Sequence, residues 1–181
     1  IRYNIQTQTY QISRYNRYEP YSIGSDFVLD LFLDQQNIMW CGLSGGGISK
    51  FDPLMFQFYN LANEPMAPVS LPENMIYSIH QAGNGHYYAG GQNKGLMSWN
   101  PENDKVEHYL VSEVEGAPEN KIFDIEESEN EKLWIASWGG LFEFDKNTGT
   151  FENCSDPEFP QSRGLLSVHR LSHDGLFVSG D

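Results

Sequence analysis

Short runs of alternating apolar and polar residues follow one another along this chain, and the same order of runs returns about every 45 residues. The third copy shows the pattern most clearly. Its apolar-rich runs predict four strands, which we label a to d in chain order: residues 121–126, 133–137, 141–145 and 151–154. Gly, Asn and Asp separate the runs and favour tight turns. The pattern therefore predicts a four-stranded antiparallel unit, and no helix is predicted anywhere.

An aromatic residue marks strand b in each copy of the repeat. The copies begin at Asp26, Asn74, Asn120 and Arg163, and fourteen residues after each of these positions stand, in order, Trp40, Tyr88, Trp134 and Phe177. Repeats of this length bury their faces against their neighbours. We therefore expect these aromatics to pack between neighbouring units rather than to form a platform for a ligand.

A four-stranded unit with this period is typical of a β-propeller blade. The predicted fold class is all-β, an incomplete propeller arc of three whole and two partial blades. The predicted ranges are 1–25 for a partial blade, 26–73, 74–119 and 120–162 for whole blades, and 163–181 for a second partial blade. In the first of these, residues 12–16 are predicted as strand c and residues 18–21 as a short strand d. We expect absent sequence or another copy to complete the arc, and we expect self-association through its ends.

The amino-acid composition argues against some classes of binding partner. The formal net charge is −14, with 25 Asp and Glu against 11 Lys and Arg, which argues against nucleic acid as a partner. No apolar run approaches the roughly 20 residues that span a membrane. The two cysteines, Cys41 and Cys154, fall at unlike places in the repeat, so we do not expect a disulfide between them.

The third copy carries the most specific motif. It contains Leu133-Trp134-Ile135, then Gly139-Gly140-Leu141, then Phe144-Asp145 and Thr148-Gly149. This combination resembles the two-component regulator propeller repeat, and the resemblance recurs over nearly the whole chain. It implies the periplasmic sensor region of a membrane-anchored hybrid histidine kinase that detects an oligosaccharide, with neighbouring propeller or signalling domains as partners. No kinase motif lies in these residues, so we expect this segment not to be an enzyme.

The loops between strands b and c provide the candidate ligand-binding residues. Gln92, Asn93 and Lys94 stand in this loop of the second copy, and Trp138 stands in that of the third. An indole plane can stack on a sugar ring, and amide or ammonium groups can bond sugar hydroxyls. The alternative is that these glycine-rich loops only make tight turns near a crowded axis.

Other residues with catalytic or metal-binding chemistry have simpler explanations. Asp30 and Asp124 occupy equivalent positions in strand a, and we expect them to line the axis or bond turns rather than to cleave a glycoside. Residues 145–149 resemble the start of a calcium loop, but a hairpin turn explains them equally well. The acidic run from Glu126 to Glu131 is predicted to be a solvated turn, with weak cation binding as the alternative. The histidines, which are scattered over different strands and turns, are His80, His86, His108, His169 and His173. No metal or cofactor is expected.

Two further function classes stay open at this point. One is an interaction scaffold whose propeller contacts a protein partner. The other is a propeller enzyme that acts on polysaccharide, although no asymmetric pair of acid and base stands out in the sequence.

Overall fold

Strands make up almost all of the regular structure in a computed structural model, which describes residues 1–154, 164–172 and 175–180. Within these ranges one turn of 3-10 helix, Pro118–Asn120, is the only helical element, and no helix is long and apolar enough to cross a membrane. The strands are β1 (Arg2–Asn4), β2 (Thr9–Gln11), β3 (Val28–Leu33), β4 (Met39–Leu43), β5 (Ile48–Asp52), β6 (Gln57–Leu61), β7 (Ile76–Gln81), β8 (Tyr87–Gly91), β9 (Leu96–Asn100), β10 (Lys105–Tyr109), β11 (Ile122–Glu127), β12 (Lys132–Ser137), β13 (Gly140–Asp145), β14 (Thr150–Asn153), β15 (Leu165–Ser172) and β16 (Gly175–Gly180).

The strands form three four-stranded antiparallel sheets in strict chain order, β3 to β6, β7 to β10 and β11 to β14. These sheets are the first, second and third blades of an incomplete β-propeller, with strands a to d running outward through each sheet. The first strands of successive blades, β3, β7, β11 and β15, contact one another along the inside of the arc. The predicted fold class is confirmed. The predicted limits of the individual blades stay predictions.

One turn geometry joins strands c and d in all three blades. The side chains of Asp52, Asn100 and Asp145, which end strand c, accept hydrogen bonds from backbone N–H groups inside the turn. The fourth residue of the four-residue turn has a left-handed backbone in each blade: Phe56, Asp104 and Gly149. The Asp145 carboxylate therefore organises a hairpin turn, and backbone hydrogen bonds to Thr148 and Asn147 hold its pKa below the ordinary value.

The strands predicted inside the first partial blade are wrong. Residues 12–16 are not in a strand, and the opening hairpin is instead β1 and β2. This N-terminal hairpin repeats the c–d turn, since Asn4 accepts from the turn and Gln8, the fourth turn residue, has a φ of 54°. A turn after Asn16 would place Pro20 at that fourth position. Proline fixes φ near −65°, so the left-handed conformation is forbidden there.

The aromatic at offset fourteen fills the packed boundary between two blades, which we call a seam. Trp40 is 4% exposed and lies in a hydrophobic cluster with residues of the second blade, among them Ile79 and Ala89. Tyr88, also 4% exposed, packs in the same way against the third blade, and Trp134 packs against residues of β15 and β16. The prediction of packing between blades is therefore confirmed for these three aromatics. Phe177 is 63% exposed.

Asp34, in the turn between strands a and b of the first blade, stabilises the first seam, which lies between the first and second blades. Its buried carboxylate accepts hydrogen bonds from Trp40 Nε1 and from the Tyr87 hydroxyl of the next blade, both at 2.8 Å. Backbone N–H groups of Gln36 and Ile38 also donate to it. Burial alone would raise the pKa of the Asp34 carboxyl, but these four hydrogen bonds lower it below the ordinary value. A buried carboxylate is thus kept ionised by donors from both blades.

Asp30 and Asp124 link neighbouring inner strands. Asp30 Oδ2 accepts the N–H of Ile79 in the second blade at 2.7 Å, and Asp124 Oδ2 accepts that of Val168 in β15 at 2.9 Å. Of the two expected roles, bonding a turn is wrong, because both carboxylates accept from strand a of the next blade, and lining the axis stays a prediction. Burial raises the pKa of Asp30, since few water molecules reach the carboxyl.

The acidic run between strands a and b of the third blade is not simply a solvated turn. Glu127 accepts hydrogen bonds from Lys146 Nζ at 2.6 Å and from His80 Nε2 of the second blade at 2.9 Å. Glu126 pairs with His169, and Glu129 pairs with Arg170. Burial would raise the pKa of Glu127, but the hydrogen bonds and charges of Lys146 and His80 lower it. The neighbouring strands supply cations that the sequence alone does not place there.

Candidate ligand-binding face

The loops between strands b and c lie on one edge of the arc, and the segment before the third blade joins two of them. The N–H of Gly95, in the loop of the second blade, donates to the carbonyl of Asn120 at 3.2 Å. The N–H of Trp138, in the loop of the third blade, donates to the carbonyl of Lys121 at 2.9 Å. Two consecutive carbonyl groups therefore hold the two predicted loops side by side.

A cluster of three aromatic rings surrounds the ammonium group of Lys121. Its Nζ lies 5.1 Å from the ring centre of Trp138, 5.2 Å from that of Phe123 and 5.9 Å from that of Tyr77. The rings of Tyr77 and Phe123 lie 4.9 Å apart, and those of Phe123 and Trp138 lie 5.8 Å apart. These distances suit cation–π attraction. We call these four residues, contributed by two blades, the aromatic face.

Trp138 is held in place by two close backbone approaches. Its indole ring lies against Gly164, where an added Cβ would come within 2.5 Å of the ring. At Gly139 an added Cβ would come within 2.4 Å of Glu119, so the loop also needs glycine there. Trp138 as a whole residue is nevertheless 42% exposed. Trp138 therefore presents an oriented apolar surface to solvent.

The loop from Gln92 to Lys94 has a fixed backbone and outward side chains. The Glu73 carboxylate accepts the N–H groups of Asn93 and Lys94 at 3.0 Å and 2.8 Å. Gly91 allows this approach, because an added Cβ would lie 2.0 Å from Glu73. The side chains of Asn93 and Lys94 are exposed, and that of Gln92 is half-buried. These polar groups are available to a ligand without rearrangement of the loop.

Tyr77 adds a hydroxyl group to the aromatic face. Burial, and then the negative charge of Glu73, raise the pKa of the Tyr77 phenol above its ordinary value. The phenol is therefore protonated at neutral pH and can both donate and accept a hydrogen bond.

The structure places all four predicted ligand-binding residues on one edge, in two neighbouring loops. Trp138 lies in the aromatic face. Gln92, Asn93 and Lys94 lie in the neighbouring loop, where the N–H of Gly95 donates to the carbonyl of Asn120. Three members of the aromatic face were missed: Tyr77, Lys121 and Phe123. Tyr77 and Phe123 occupy the same position of strand a in consecutive blades, which is a repeat signal in the sequence. Lys121 could not be found this way, because its role depends on how two blades meet.

In the described ranges no group of three or more His, Cys, Asp or Glu side chains converges. His80 and His169 instead pair with glutamates, and His173 lies outside the described residues. Cys41 is buried in the first blade and Cys154 follows the third, and both are free. Burial raises the pKa of the Cys41 thiol to about 11.

No family model matches the sequence, and no curated protein matches it either. Solved structures do share the fold. One is described as the extracellular domain of the hybrid two component system BT3049 from B. thetaiotaomicron, with a TM-score of 0.79 and 25% identity over 98% of this chain. This chain covers 22% of that protein's chain. The expected resemblance to the sensor regions of two-component receptors is therefore confirmed at the level of the fold.

Two more distant structures show how widely the fold occurs. The extracellular domain of the one component system BT4673 from B. thetaiotaomicron has a TM-score of 0.67 and 22% identity, covering 86% of this chain and 20% of that one. Virginiamycin B lyase from Staphylococcus aureus has a TM-score of 0.65 and 15% identity, covering 83% of this chain and 48% of that one. At these identities the similarity is one of fold alone.

Proposed function

We propose that this chain is a ligand-sensing part of the extracytoplasmic region of a two-component receptor, located in the periplasm, and that its ligand is an oligosaccharide. The observation that carries the proposal is the aromatic face, where three rings and one ammonium group meet beside a loop of exposed polar side chains. The similarity to extracellular domains of two-component systems supports the sensing role. The propeller segment itself is not proposed to be catalytic.

The chemistry of the face suits a sugar. The partly exposed indole of Trp138 can contact the C–H face of a pyranose ring. The Tyr77 phenol and the side chains of Gln92, Asn93 and Lys94 can donate hydrogen bonds to hydroxyl groups. Since the loop backbone is already fixed by Glu73, little conformational entropy would be lost on binding.

Binding at this edge would also act on the seam between the second and third blades. Asn120 and Lys121 hold the two loops through their carbonyl groups, and Lys121 contributes to the face itself. A ligand that contacts both loops would favour one arrangement of the two blades over another. Such differential affinity is what a receptor needs in order to pass a signal to neighbouring domains and to a membrane-anchored output.

The class of polysaccharide-active enzyme receives less support. Asp30 and Asp124, the repeated carboxylates, each accept a hydrogen bond from the inner strand of the next blade. Carboxylates with this role stabilise seams and are not arranged as an acid and a nucleophile across a cleft.

The test is a panel of oligosaccharides titrated calorimetrically into the complete ectodomain that contains this chain. We expect one class of glycan to bind, and we expect Trp138→Ala to weaken that binding by about tenfold or more. Met66→Ala, a change at an exposed residue in the segment between the first and second blades, serves as the matched control. A panel without any binder, or a Trp138→Ala variant that binds like the unchanged protein, would contradict the proposal.

A further inference from the structure

A polar pocket of about 430 Å³ lies in the first seam, on the edge of the arc opposite the aromatic face. Strands a and c end at this edge, whereas the loops between strands b and c lie at the other ends of the same antiparallel strands. Its volume is usual for a small-molecule site, for which the range is about 300–1,000 Å³. Both blades line the pocket, and the polar residues that matter below are Asp34, Lys50, Gln81, His86, Asn100 and Glu102.

In the second seam, between the second and third blades, a lysine side chain occupies the corresponding place. Lys146, the first residue of the turn after strand c, has a side chain that is 3% exposed. Its Nζ lies 2.6 Å from a carboxylate oxygen of Glu127 and 3.4 Å from one of Glu131. The same three positions of the second blade carry, in that order, Pro101, Gln81 and Gly85. The first seam therefore has an opening where the second seam is filled.

The backbone shows that these positions correspond. Gln81 and Glu127 are the last residues of β7 and β11, the first strands of the two blades. Gly85 and Glu131 both have a left-handed backbone, with φ of 83° and 63°. The two seams thus differ at this edge in their side chains and not in the course of the chain.

Lys50 supplies a positive charge to the pocket and has no carboxylate partner. Its ammonium lies 5.3 Å from the ring centre of Trp40, and no ion pair among the described residues includes it. The oxygens of the Asp34 carboxylate already accept four hydrogen bonds from other groups. The half-buried ammonium of Lys50 is therefore available to an anionic group of a ligand.

Two amide side chains of the pocket also present donors. Gln81 Oε1 accepts the N–H of Gln35 across the seam at 3.1 Å, and Asn100 Oδ1 accepts that of Glu102 at 2.9 Å. Because both oxygens bind backbone N–H groups, each amide keeps its NH₂ group as a donor. Glu102 itself is exposed and disfavours a second negative charge on a ligand. His86 adds a half-buried ring. The pocket therefore suits a ligand with a single carboxylate.

We propose that the pocket of the first seam binds the carboxylate group of a small solute, such as a hydroxy acid or an amino acid. Lys50 and the NH₂ groups of Gln81 and Asn100 donate to the carboxylate oxygens. The remainder of the solute takes the place that the Lys146 side chain has in the second seam. Because two blades line the pocket, the bound solute stabilises their contact. The proposal does not depend on an oligosaccharide at the aromatic face.

The test is a titration of the complete ectodomain that contains this chain with D-gluconate and with L-glutamine, followed by saturation-transfer NMR. The controls are gluconamide and glutamine amide, which lack the carboxylate. We expect at least one acid to bind, and its amide to bind more weakly by about tenfold or more, since a charge-assisted hydrogen bond is lost. Whichever acid binds identifies the source of the carboxylate, and binding of both shows that the carboxylate alone is recognised.

Four variants locate the binding. Lys50→Met should weaken it by about tenfold or more, and Lys105→Met, which changes an exposed lysine of β10, should leave it unchanged. Gln81→Glu combined with Pro101→Lys rebuilds the filled arrangement of the second seam and should remove binding, whereas Pro101→Ala leaves the pocket open and should retain it. Denaturant unfolding shows that each variant is folded. No binding of either acid, equal affinity for acid and amide, or a folded Lys50→Met or rebuilt variant that binds like the unchanged protein would overturn the proposal.

Discussion

Trp134 and Trp138 stand in the same blade, one on strand b and the other in the loop that follows it, yet their surroundings differ. Trp134 packs against Leu165, Val168 and other apolar residues of the next strand pair. Trp138 contacts the ring of Phe123 and the ammonium of Lys121, and the residue is 42% exposed to solvent. The comparison teaches that the position of an aromatic residue in the repeat decides whether it packs between blades or stays partly exposed to solvent.

The largest expected loss of stability comes from removing a large side chain that is buried in a seam between two blades. Trp40→Ala should lower the free energy of unfolding by about 4 kcal/mol, because a buried indole leaves a cavity and the Asp34 carboxylate loses a donor. Trp138→Ala, the matched change on the aromatic face, should cost about 1 kcal/mol or less. Denaturant titration measures both values, and equal losses would remove the distinction between seam and face.

A smaller loss of stability should follow from removing the Asp34 carboxylate, which accepts hydrogen bonds from both blades at the first seam. Asp34→Ala leaves the donors of Trp40 and Tyr87 unpaired and should cost about 2–3 kcal/mol at neutral pH. Because the pKa of Asp34 is lowered in the folded chain, its stabilisation is present above the ordinary value of about 3.9 and is lost as the pH falls through the folded pKa.

The measurement is denaturant unfolding of the Asp34→Ala variant and the unchanged chain at several pH values. The difference should shrink in acid, and Asp52→Ala, which affects only a turn, should show a smaller difference throughout. A difference that is independent of pH would show that the ionised carboxylate is not the stabilising species.

The ion-pair cluster of the second seam should contribute less. Glu127→Gln removes the negative partner of Lys146 and His80 and should cost about 1–2 kcal/mol at neutral pH. The pKa of Glu127 is lowered in the folded chain, so this contribution is present above about 4.3 and fades as the pH falls through the folded pKa. Thermal unfolding of both proteins near neutral pH and in acid provides the check, with Glu102→Gln, on the turn between β9 and β10, as the control. No loss of stability near neutral pH would contradict the assignment.

The smallest effect on stability is expected at the centre of the aromatic face. Lys121→Met removes the ammonium but keeps the length of the side chain, and it should change the free energy of unfolding by about 1 kcal/mol or less. Its effect on oligosaccharide affinity should be larger than its effect on stability. Lys105→Met, which changes an exposed lysine of β10, serves as the control in the same titrations. Equal affinities of the two variants would exclude Lys121 from the site.

Repetition made most of the fold predictable. The strand order, the strand positions of the three blades and the packing of Trp40, Tyr88 and Trp134 all follow from a pattern that recurs in register. Strand c of the first partial blade was assigned to the wrong residues because residues 12–16 resemble Ile48–Asp52 almost residue for residue. The turn that follows distinguishes the two segments. Pro20 cannot adopt the left-handed backbone that the last residue of the turn between strands c and d needs.

The opening hairpin does have a sequence signal, which is the turn rather than the strand. Tyr3-Asn4, followed by Thr7-Gln8-Thr9-Tyr10, corresponds to Phe144-Asp145, followed by Thr148-Gly149-Thr150-Phe151. The two threonine hydroxyls that flank the last turn residue lie 2.8 Å apart in one hairpin and 2.7 Å apart in the other.

Contacts across seams were less accessible to sequence reasoning. The hydrogen bonds of Asp30 and the position of Lys121 depend on how neighbouring blades approach one another. A residue pattern within one repeat contains no information on that geometry. The candidate site was therefore predicted at Gln92, Asn93, Lys94 and Trp138, inside two loops, and Lys121, whose surroundings depend on two blades, was missed.

The measurement that tests the account most directly is a calorimetric titration of the complete ectodomain with the oligosaccharide that binds in the panel, comparing Trp138→Ala with Trp134→Phe. The account predicts that Trp134→Phe, which keeps an aromatic in the seam, binds like the unchanged protein. It predicts that Trp138→Ala loses affinity by about tenfold or more, equal to about 1.4 kcal/mol. Unchanged affinity of Trp138→Ala, or an equal loss in both variants, would contradict a ligand site on the aromatic face.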